Sequence, residues 1–332
     1  MIVIDADVLG RNRTGDETYV ENLLRELPTA APDLRFAALT RRPDLVPDGV
    51  EPIHVPARFQ ELRMAVRVPL LLRRLRPQLV HFVHALPPAL PCPAVLTVQD
   101  LSFERDATLM GRRETAIFRL TVPRSARRAR RVLAISRRTK DDLVELYGLA
   151  PEGIVVTPLA ADPVFRPGGV RADYVLLVGS IEPRKQPLVA ADAARAAGRR
   201  LVVAGPERDA SLAAALRERG AELRGFVAKD DLVRLYQEAA ALLLPTQYEG
   251  FGLTAAEAMA CGTPVVAAPD PAVREVGGDA IAYAEPDRFG DVLREVLAEP
   301  ERWSLAGLER SRAHSWARTA SATAAVYREV LS

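Results

Sequence analysis

Several features that define other classes of protein are rare or missing in this chain. It has two cysteines, Cys92 and Cys261, which stand far apart and outside any metal-ligand spacing; this favours a reducing compartment over a disulfide scaffold or a zinc site. No run of about 18 apolar residues occurs, so no transmembrane helix is predicted. The first residues lead into a strand without a basic leader, which predicts no signal peptide. The sequence therefore favours a cytoplasmic protein.

Lysine is also scarce: only three of the 45 basic residues are lysine, at positions 140, 185 and 229. The net charge of +2 is too small to indicate a nucleic-acid partner. Arginines nevertheless concentrate in two stretches, Arg58–Arg76 and Arg112–Lys140. Two interpretations of these stretches remain open. In the first, the arginines are solvated surface residues of an arginine-biased chain. In the second, they form a surface that contacts anionic lipid, peripheral on the inner face of a membrane.

Short apolar runs alternate with helical stretches along the whole chain, which is typical of parallel sheets built from strand–helix–strand units. At 332 residues, about two domains are expected. The pattern predicts strands at 2–8, 35–39, 79–83, 94–98, 131–135 and 154–157, and, after a Pro- and Gly-rich linker, at 174–178, 200–204, 223–225, 241–244, 264–267 and 280–283. We predict an α/β fold with two doubly wound Rossmann-like domains, 1–170 and 171–314, facing a central cleft. A C-terminal helix within 315–332 packs back on the first domain.

A segment near the C-terminus has the composition of an anion-binding loop. An apolar strand is followed by Glu249, two glycines that let the backbone approach a ligand, and a helix that contains Glu257. The first N–H groups of a helix suit a phosphate, whereas the two carboxylates suit sugar hydroxyls. A site that binds both groups predicts a sugar nucleotide as ligand.

Three further loops follow strands of the second domain. The first runs from Gly179 and Ser180 to Arg184 and Lys185, and places two cations beside a glycine turn, which suits a diphosphate. Because almost every other basic position is arginine, a lysine here indicates that a compact ammonium group is needed. The next loops contain Gly205, and Phe226 with Val227; Phe226 either flanks a nucleobase or belongs to the core.

In the first domain, two of the four histidines lie near the end of one predicted strand. His84 lies past the end of that strand and is the better candidate for a ligand-binding side chain, although a structural histidine remains the alternative. Gly15 opens the first helix, which contains Tyr19.

The second-half motifs follow one another along the chain as Gly179–Lys185, Gly205–Pro206, Phe226–Val227, Glu249–Glu257, Cys261–Val266 and Arg274–Gly278. This ordered set, with the tail from Ser315 to Tyr327, resembles the retaining family 4 glycosyltransferases (glycosyl transferases group 1), which have the GT-B fold. The resemblance covers essentially the full chain and its strongest motifs lie in the second half. It implies the GT-B arrangement for the two predicted domains.

The resemblance also implies roles for individual residues. Glu249 holds hydroxyls of the donor sugar, and Glu257 accepts from the ribose hydroxyls. Arg184 and Lys185 neutralise the leaving diphosphate, so no metal and no other cofactor is expected. The remaining donor-site positions are Gly15, Gly179, Ser180, Gly205, Phe226, Val227 and the backbone of Phe251, Gly252, Leu253 and Thr254.

The first domain departs from the family pattern at two places. Asp16 and Glu17 follow Gly15 where a second glycine is usual, and their charges oppose a diphosphate unless they point elsewhere. Gln99 stands where relatives have a histidine; it cannot act as an acid or base, but it can donate to and accept from a sugar hydroxyl. Asp100 remains an acceptor-side group, and Tyr19 and His84 are expected on the same side.

The leading hypothesis is a retaining, metal-independent transferase that moves a hexose, with GDP-mannose as the first guess, to a hydroxyl of a polysaccharide, a lipid-linked glycan or a small molecule. The alternative is a non-catalytic sugar-nucleotide binder or a partner subunit, which Gln99 and the acidic residues after Gly15 favour. A nicotinamide dehydrogenase is disfavoured because no Gly-x-Gly-x-x-Gly follows a strand.

Overall fold

The computed structural model describes residues 1–11, 14–56, 59–105 and 112–332, without the side chains of Thr14, Arg112 and Glu114. Arg58, where the first basic stretch begins, lies outside the described residues. The chain forms two compact units, one of Met1–Leu159 with Ser315–Ser332 and one of Ala160–His314.

The described part of the first unit contains a seven-stranded parallel sheet in the order β3-β2-β1-β4-β5-β6-β7. Its strands are β1 Ile2–Asp5, β2 Phe36–Thr40, β3 Val50–His54, β4 Leu79–Val83, β5 Ala94–Val98, β6 Arg131–Ala134 and β7 Ile154–Val156. Strand β3 is not predicted from the sequence, because this edge strand contains Glu51 and Pro52 and is largely exposed. The predicted α/β class is confirmed.

Helices lie in most of the connections between these strands. They are α1 Thr14–Ala30, α2 Gln60–Leu62, α3 Val68–Leu75, α4 Ser102–Arg105, α5 Arg112–Arg128 and α6 Arg137–Tyr147. A π-helical stretch, Arg63–Arg67, joins α2 to α3. Its first residue, Arg63, is fully buried and forms ion pairs with Asp5 and Asp7, which fix this helical run on the sheet.

The second unit contains a six-stranded parallel sheet in the order β10-β9-β8-β11-β12-β13. Its strands are β8 Tyr174–Val178, β9 Arg200–Ala204, β10 Glu222–Leu223, β11 Ala241–Leu244, β12 Val265–Ala267 and β13 Ala282–Tyr283. Its helices are α7 Pro187–Ala196, α8 Ala210–Glu218, α9 Lys229–Glu238, α10 Leu253–Ala260, α11 Pro271–Gly277, α12 Phe289–Ala298 and α13 Pro300–Ser311. Every strand predicted in this half is present: β8, β9 and β11 have the predicted limits, β12 and β13 are shorter than predicted, and β10 begins and ends earlier than predicted.

The last helix, α14 Trp316–Leu331, packs against α1 within the first unit. Ser315 caps it by accepting from the backbone N–H of Arg318. The boundary between the units lies at 159/160 rather than 170/171. Residues after Leu159 belong to the second unit because Asp162 pairs with Lys229 at 3.1 Å. None of the helices in the described ranges is long and apolar enough to cross a bilayer.

Candidate active site

The site in the second unit lies where its strand order changes direction. The chain proceeds from β8 to β9 and β10 on one side, and then returns to β11 on the other side of β8. In doubly wound sheets ligands bind at the carboxyl ends of the strands beside this switch point. The loops after β8, β9 and β11, which contain Gly179, Gly205 and Glu249 respectively, therefore meet at the same edge.

The loops that contain Gly179 and Gly205 come very close together. Both glycines have positive φ angles, 137° and 154°. A Cβ atom on Gly205 would lie 2.0 Å from the carbonyl oxygen of Gly179, a distance at which no side chain fits. The loops are tied by a 2.9 Å hydrogen bond from the Ile181 N–H to the Pro206 carbonyl. The glycines thus allow one loop backbone to approach the other, in addition to any approach to a ligand.

Lys185 and Glu249 form a buried ion pair at this edge. The Lys185 ammonium donates to Glu249 Oε1 at 2.5 Å, and Arg184 Nη1 lies 3.9 Å from Glu249 Oε2. Burial acts to raise the pKa of Glu249, but the charges of Lys185 and Arg184, with hydrogen bonds from Lys185 and Thr246, hold it below its usual value. Glu249 is therefore a carboxylate, beside two cations.

Arg184 is fixed in the same cluster. It donates to the Tyr248 carbonyl at 2.6 Å and to Glu182 Oε1 at 2.8 Å. A cation that suits a phosphate oxygen and a carboxylate that suits a sugar hydroxyl thus lie next to each other. The sequence pattern places both groups at one edge; the structure adds that they are in direct contact.

The loop after β11 ends at the N-terminus of α10. Gly252 precedes the helix with φ 95°, a conformation that favours glycine. The Ala255 and Ala256 N–H groups bond back to the Gly252 carbonyl, and the N–H groups of Leu253 and Thr254 lie in the turn that helix geometry leaves without intrahelical partners. Phe251 is buried, with its ring 5.7 Å from that of His314. Its predicted contribution is from the backbone, so burial of the ring is compatible with it.

Asp270 supports this loop and is not predicted from the sequence. Its Oδ2 accepts from the Glu249 N–H at 3.3 Å, while its Oδ1 caps α11 by accepting from the Ala272 and Val273 N–H groups. The residue is buried. An aspartate directly before Pro271, at the start of a helix, is the sequence signal for the capping role.

Glu257 lies inside α10 and is held by Tyr236 of α9. The Tyr236 hydroxyl donates to Glu257 Oε2 at 2.8 Å, and both side chains are buried. Burial raises the pKa of Glu257 to about 7, against the lowering effect of the Tyr236 hydrogen bond. Tyr236 is not predicted from the sequence, where it has the pattern of an ordinary residue of an amphipathic helix.

Phe226, in the loop before α9, is 55% exposed, which fits a contact with a nucleobase better than a core position.

In the first unit, Gln99 and Gly15 lie close together. The Gln99 side-chain oxygen is 3.7 Å from the position that a Cβ of Gly15 would take. Gln99 is 6% exposed, and its side-chain N–H₂ has no hydrogen-bond partner among the described residues. Asp100 accepts from the Ser102 N–H and hydroxyl, at 3.0 and 2.8 Å, and so caps α4.

His84 and the two acidic residues after Gly15 make local contacts. His84 has a positive φ of 63°, which is uncommon for a residue with a side chain, and its Nε2 lies 3.3 Å from Asp16 Oδ1. Glu17 accepts from the Gly10 N–H at 2.6 Å. The carboxylates of Asp16 and Glu17 are thus held by groups of the first unit.

Tyr19, predicted on the acceptor side, lies in the core of the first unit. It is fully buried, and its hydroxyl lies 2.8 Å from Thr97 Oγ1. Thr97 in turn lies 2.7 Å from His81 Nε2, and His81 Nδ1 lies 2.6 Å from the Tyr327 hydroxyl. Tyr19 thus lies on the face of α1 that packs on the sheet, in a buried polar chain that reaches α14.

Known proteins share this sequence pattern. The model for Glycosyltransferase Family 4 matches residues 13–165, and the model for Glycosyl transferases group 1 matches residues 172–299. A D-inositol 3-phosphate glycosyltransferase of Saccharomonospora viridis is 35% identical over 231 residues, 58% of this chain and 54% of that protein. The protein of the same name from Kribbella flavida is 34% identical over 60% of this chain and 56% of its own length. The chain spans about half the length of these relatives.

Solved structures share the architecture along the full chain. A sucrose-phosphate synthase from Thermosynechococcus elongatus has a TM-score of 0.79 at 18% identity, covering 99% of this chain and 98% of its own. HepE of Anabaena, solved in complex with UDP and glucose, has a TM-score of 0.74 at 15% identity, covering 99% and 100%. At such identities the likeness concerns the fold, which is GT-B. With matches to both halves in sequence and the two doubly wound sheets in structure, the chain belongs to glycosyltransferase family 4.

Proposed function

We propose that this protein is a retaining glycosyltransferase that moves a hexosyl group from a nucleoside-diphosphate sugar to an acceptor hydroxyl, without a metal ion. The observation that supports this most directly is the Lys185–Glu249 pair at the switch point of the second sheet, with Arg184 beside it. A phosphate-binding cation and a hydroxyl-binding carboxylate are in contact there. Few ligands other than a sugar nucleotide need both.

In the proposed reaction, the bond between the anomeric carbon and the diphosphate oxygen breaks and a bond to the acceptor oxygen forms on the same face of the sugar. The acceptor proton passes to the departing phosphate oxygen. Negative charge develops on the diphosphate, and Lys185 and Arg184 stabilise it. Because these two side chains supply positive charge, the step requires no metal. Glu249 accepts from donor-sugar hydroxyls, and the start of α10 binds phosphate through its N–H groups.

In the first unit, the proposed role of Gln99 is to hold a sugar hydroxyl. Its buried side-chain N–H₂ has no partner among the described residues, and an unsatisfied buried donor is costly unless a ligand completes it. A side-chain amide is neither an acid nor a base near neutral pH, so Gln99 orients a substrate and takes no part in proton transfer.

Different observations select the first candidates for the donor and for the acceptor. GDP-mannose remains our first candidate donor; UDP-glucose is the second, because HepE was solved with UDP and glucose. The names of the relatives make D-inositol 3-phosphate the first small acceptor to test, beside polysaccharide and lipid-linked glycans.

Calorimetric titration with GDP, UDP, ADP and dTDP in the presence of EDTA tests the donor site. One tight binder identifies the base and supports metal-independent binding. Binding that returns only when Mg²⁺ replaces EDTA would contradict the metal-independent part. Transfer is then assayed with the matching nucleotide sugars; tight binding without turnover on any acceptor class would favour the alternative, a non-catalytic binder or partner subunit.

Two substitutions test the residues. Lys185→Ala should weaken nucleoside-diphosphate binding by about 10-fold or more, since hydrogen bonds between charged groups contribute about 1.5–3 kcal/mol. Glu249→Ala should abolish transfer while the protein remains folded. Arg195→Ala, an exposed cation on α7 paired only with Asp192 among the described residues, is the matched control. Wild-type transfer by both site variants would refute the assignment.

A further inference from the structure

The helical run from α2 to α3 has two different faces. Arg63, Val68 and Leu72 are buried against the sheet. On the opposite face Leu62, Val66 and Leu70 follow one another at four-residue intervals and are 48%, 44% and 51% exposed. Side chains at this spacing lie on one side of a helix. The run therefore presents an apolar stripe to solvent. On its buried side, the ion pairs of Arg63 fix the run on the sheet.

Helix α5 has a similar outer face. Ile117 and Leu120 are 41% and 54% exposed, and exposed arginines follow one and two turns later, at positions 124, 127 and 128. The inner residues of α3 and α5 belong to a single hydrophobic cluster with alternate residues of the strands, so both helices cover the same face of the first sheet. Their apolar stripes consequently lie on the outer side of one helical layer. Together they form what we call the arginine–leucine face: Leu62, Val66, Arg67, Leu70, Arg73, Arg74, Arg76, Ile117, Leu120, Arg124, Arg127 and Arg128.

None of the arginines of this face forms an ion pair within the part of the chain that the structure describes, and the bonds that Arg67, Arg124, Arg127 and Arg128 make go to backbone carbonyls. Several exposed arginines of the second unit, at positions 195, 217, 294 and 302, each pair with an aspartate or glutamate. Within the described residues, the exposed apolar side chains of this face therefore lie beside arginines that have no ion-pair partner.

We propose that the arginine–leucine face docks on an anionic lipid bilayer, with the leucine stripes in the headgroup region and the arginines against lipid phosphates. An amphipathic surface with apolar side chains next to arginine is the composition that interfacial binding requires. Attraction of arginines to an anionic leaflet adds to the binding. A second copy of the chain fits less well, because a two-fold interface would place the same uncompensated arginines opposite each other. This inference does not depend on which sugar is transferred.

Flotation with vesicles tests the proposal. The full chain is mixed with vesicles of phosphatidylcholine alone, or with roughly 30 mol% phosphatidylglycerol, at about 0.1 M and about 0.5 M salt. We expect binding to the anionic vesicles at low salt, weakening at high salt, and little binding to the neutral ones. Equal binding to both lipids, or none to either, would overturn the proposal.

Two sets of variants separate the contributions. The triple change Leu62→Ser, Val66→Ser, Leu70→Ser and the double change Arg73→Glu, Arg74→Glu should each reduce anionic-vesicle binding about 10-fold or more. All five positions are exposed, so the fold should persist, which thermal denaturation checks.

The matched controls lie in the second unit. Leu305→Ser, at a side chain that is 67% exposed, and Arg195→Glu with Arg234→Glu should leave vesicle binding unchanged. If the controls lose as much binding as the test variants, the face is not the docking surface. If the wild type is a dimer without lipid and the leucine variant a monomer, the face joins two copies and the proposal is wrong.

Discussion

Replacing Tyr236 by phenylalanine tests the proposed donor site of the second unit. The Tyr236 hydroxyl donates to Glu257 Oε2 at 2.8 Å, and the ring packs edge-to-face on Phe165 at 5.6 Å. Phenylalanine keeps the ring and its packing and removes only the hydroxyl. The variant therefore changes the orientation and ionisation of Glu257 with little effect on the core.

The expected loss of donor affinity follows from the hydrogen bond between the buried Tyr236 and Glu257 side chains. A hydrogen bond to a charged group contributes about 1.5–3 kcal/mol, and each 1.4 kcal/mol is about tenfold in affinity. Because the Tyr236 bond lowers the pKa of Glu257 against burial, its loss should raise that pKa above its present value of about 7. At neutral pH less carboxylate remains to accept from ribose. We expect the Tyr236→Phe variant to bind the donor nucleotide about tenfold more weakly. We also expect its binding to reach full strength only at a higher pH than that of the wild type.

Calorimetry with the donor nucleotide and with its 2′- and 3′-deoxy analogues gives a readout that a general structural defect does not mimic. In the wild type a deoxy analogue should bind more weakly than the ribonucleotide; in Tyr236→Phe the difference should shrink. Tyr174→Phe, which removes a 2.8 Å bond to the Leu235 carbonyl, is the control and should keep the discrimination. Equal weakening for ribo- and deoxynucleotides in Tyr236→Phe would refute the reasoning.

Three further predictions concern stability. Gly205→Ala should destabilise the second unit by about 3 kcal/mol or more in urea denaturation, because its Cβ would lie 2.0 Å from a carbonyl oxygen; Gly198→Ala, with nothing within 4 Å, should cost only about 1 kcal/mol. The pKa of Glu257 is raised from 4.5 to about 7, so the stability it contributes is complete at low pH and lost as pH rises through 7. Glu257→Gln should therefore raise the melting temperature relative to wild type above about pH 8 and much less near pH 5; the reverse order would contradict the assignment. Burial lowers the pKa of His81 from 6.5 to about 3, so its contribution is complete above pH 6.5 and lost as pH falls towards 3. With His81→Gln, the free energy of unfolding should fall less steeply below pH 6.5, by up to about 1.4 kcal/mol per pH unit. An unchanged slope would contradict the burial of the neutral ring.

The parts of the site that can be predicted from the sequence are those that depend on strand ends. In a parallel sheet the order of strands and the residues just past their ends determine which loops meet. Lys185 and Glu249 are predicted at one edge for this reason, and they lie in contact there. The sequence also predicts that the glycines at 179 and 205 are needed, although it does not show that their two loops meet each other.

The parts that sequence does not predict depend on which face of a helix is buried. Tyr19 and Tyr236 both lie on amphipathic helices, and the pattern alone does not distinguish a tyrosine in the core from one at a ligand. Tyr19 is buried in the polar chain to His81, whereas Tyr236 holds Glu257. Strand β3 is missed for a related reason, since an edge strand with exposed polar residues lacks a hydrophobic pattern.

The features that mark the proposed donor site are ones that stability alone would not favour. A buried ion pair such as that of Lys185 and Glu249 is weak evidence for stability, because the cost of desolvating both charges offsets their attraction. Glu257 is destabilising whenever it ionises, since burial raises its pKa to about 7. Gly205 gives conformational freedom to the unfolded chain and fixes a loop that no other residue could occupy. Local choices that oppose stability are expected at functional sites, and these three lie in one unit, two of them in loops at the carboxyl edge of its sheet. Their grouping therefore argues for ligand binding at the carboxyl edge of the second sheet, independently of the family resemblance.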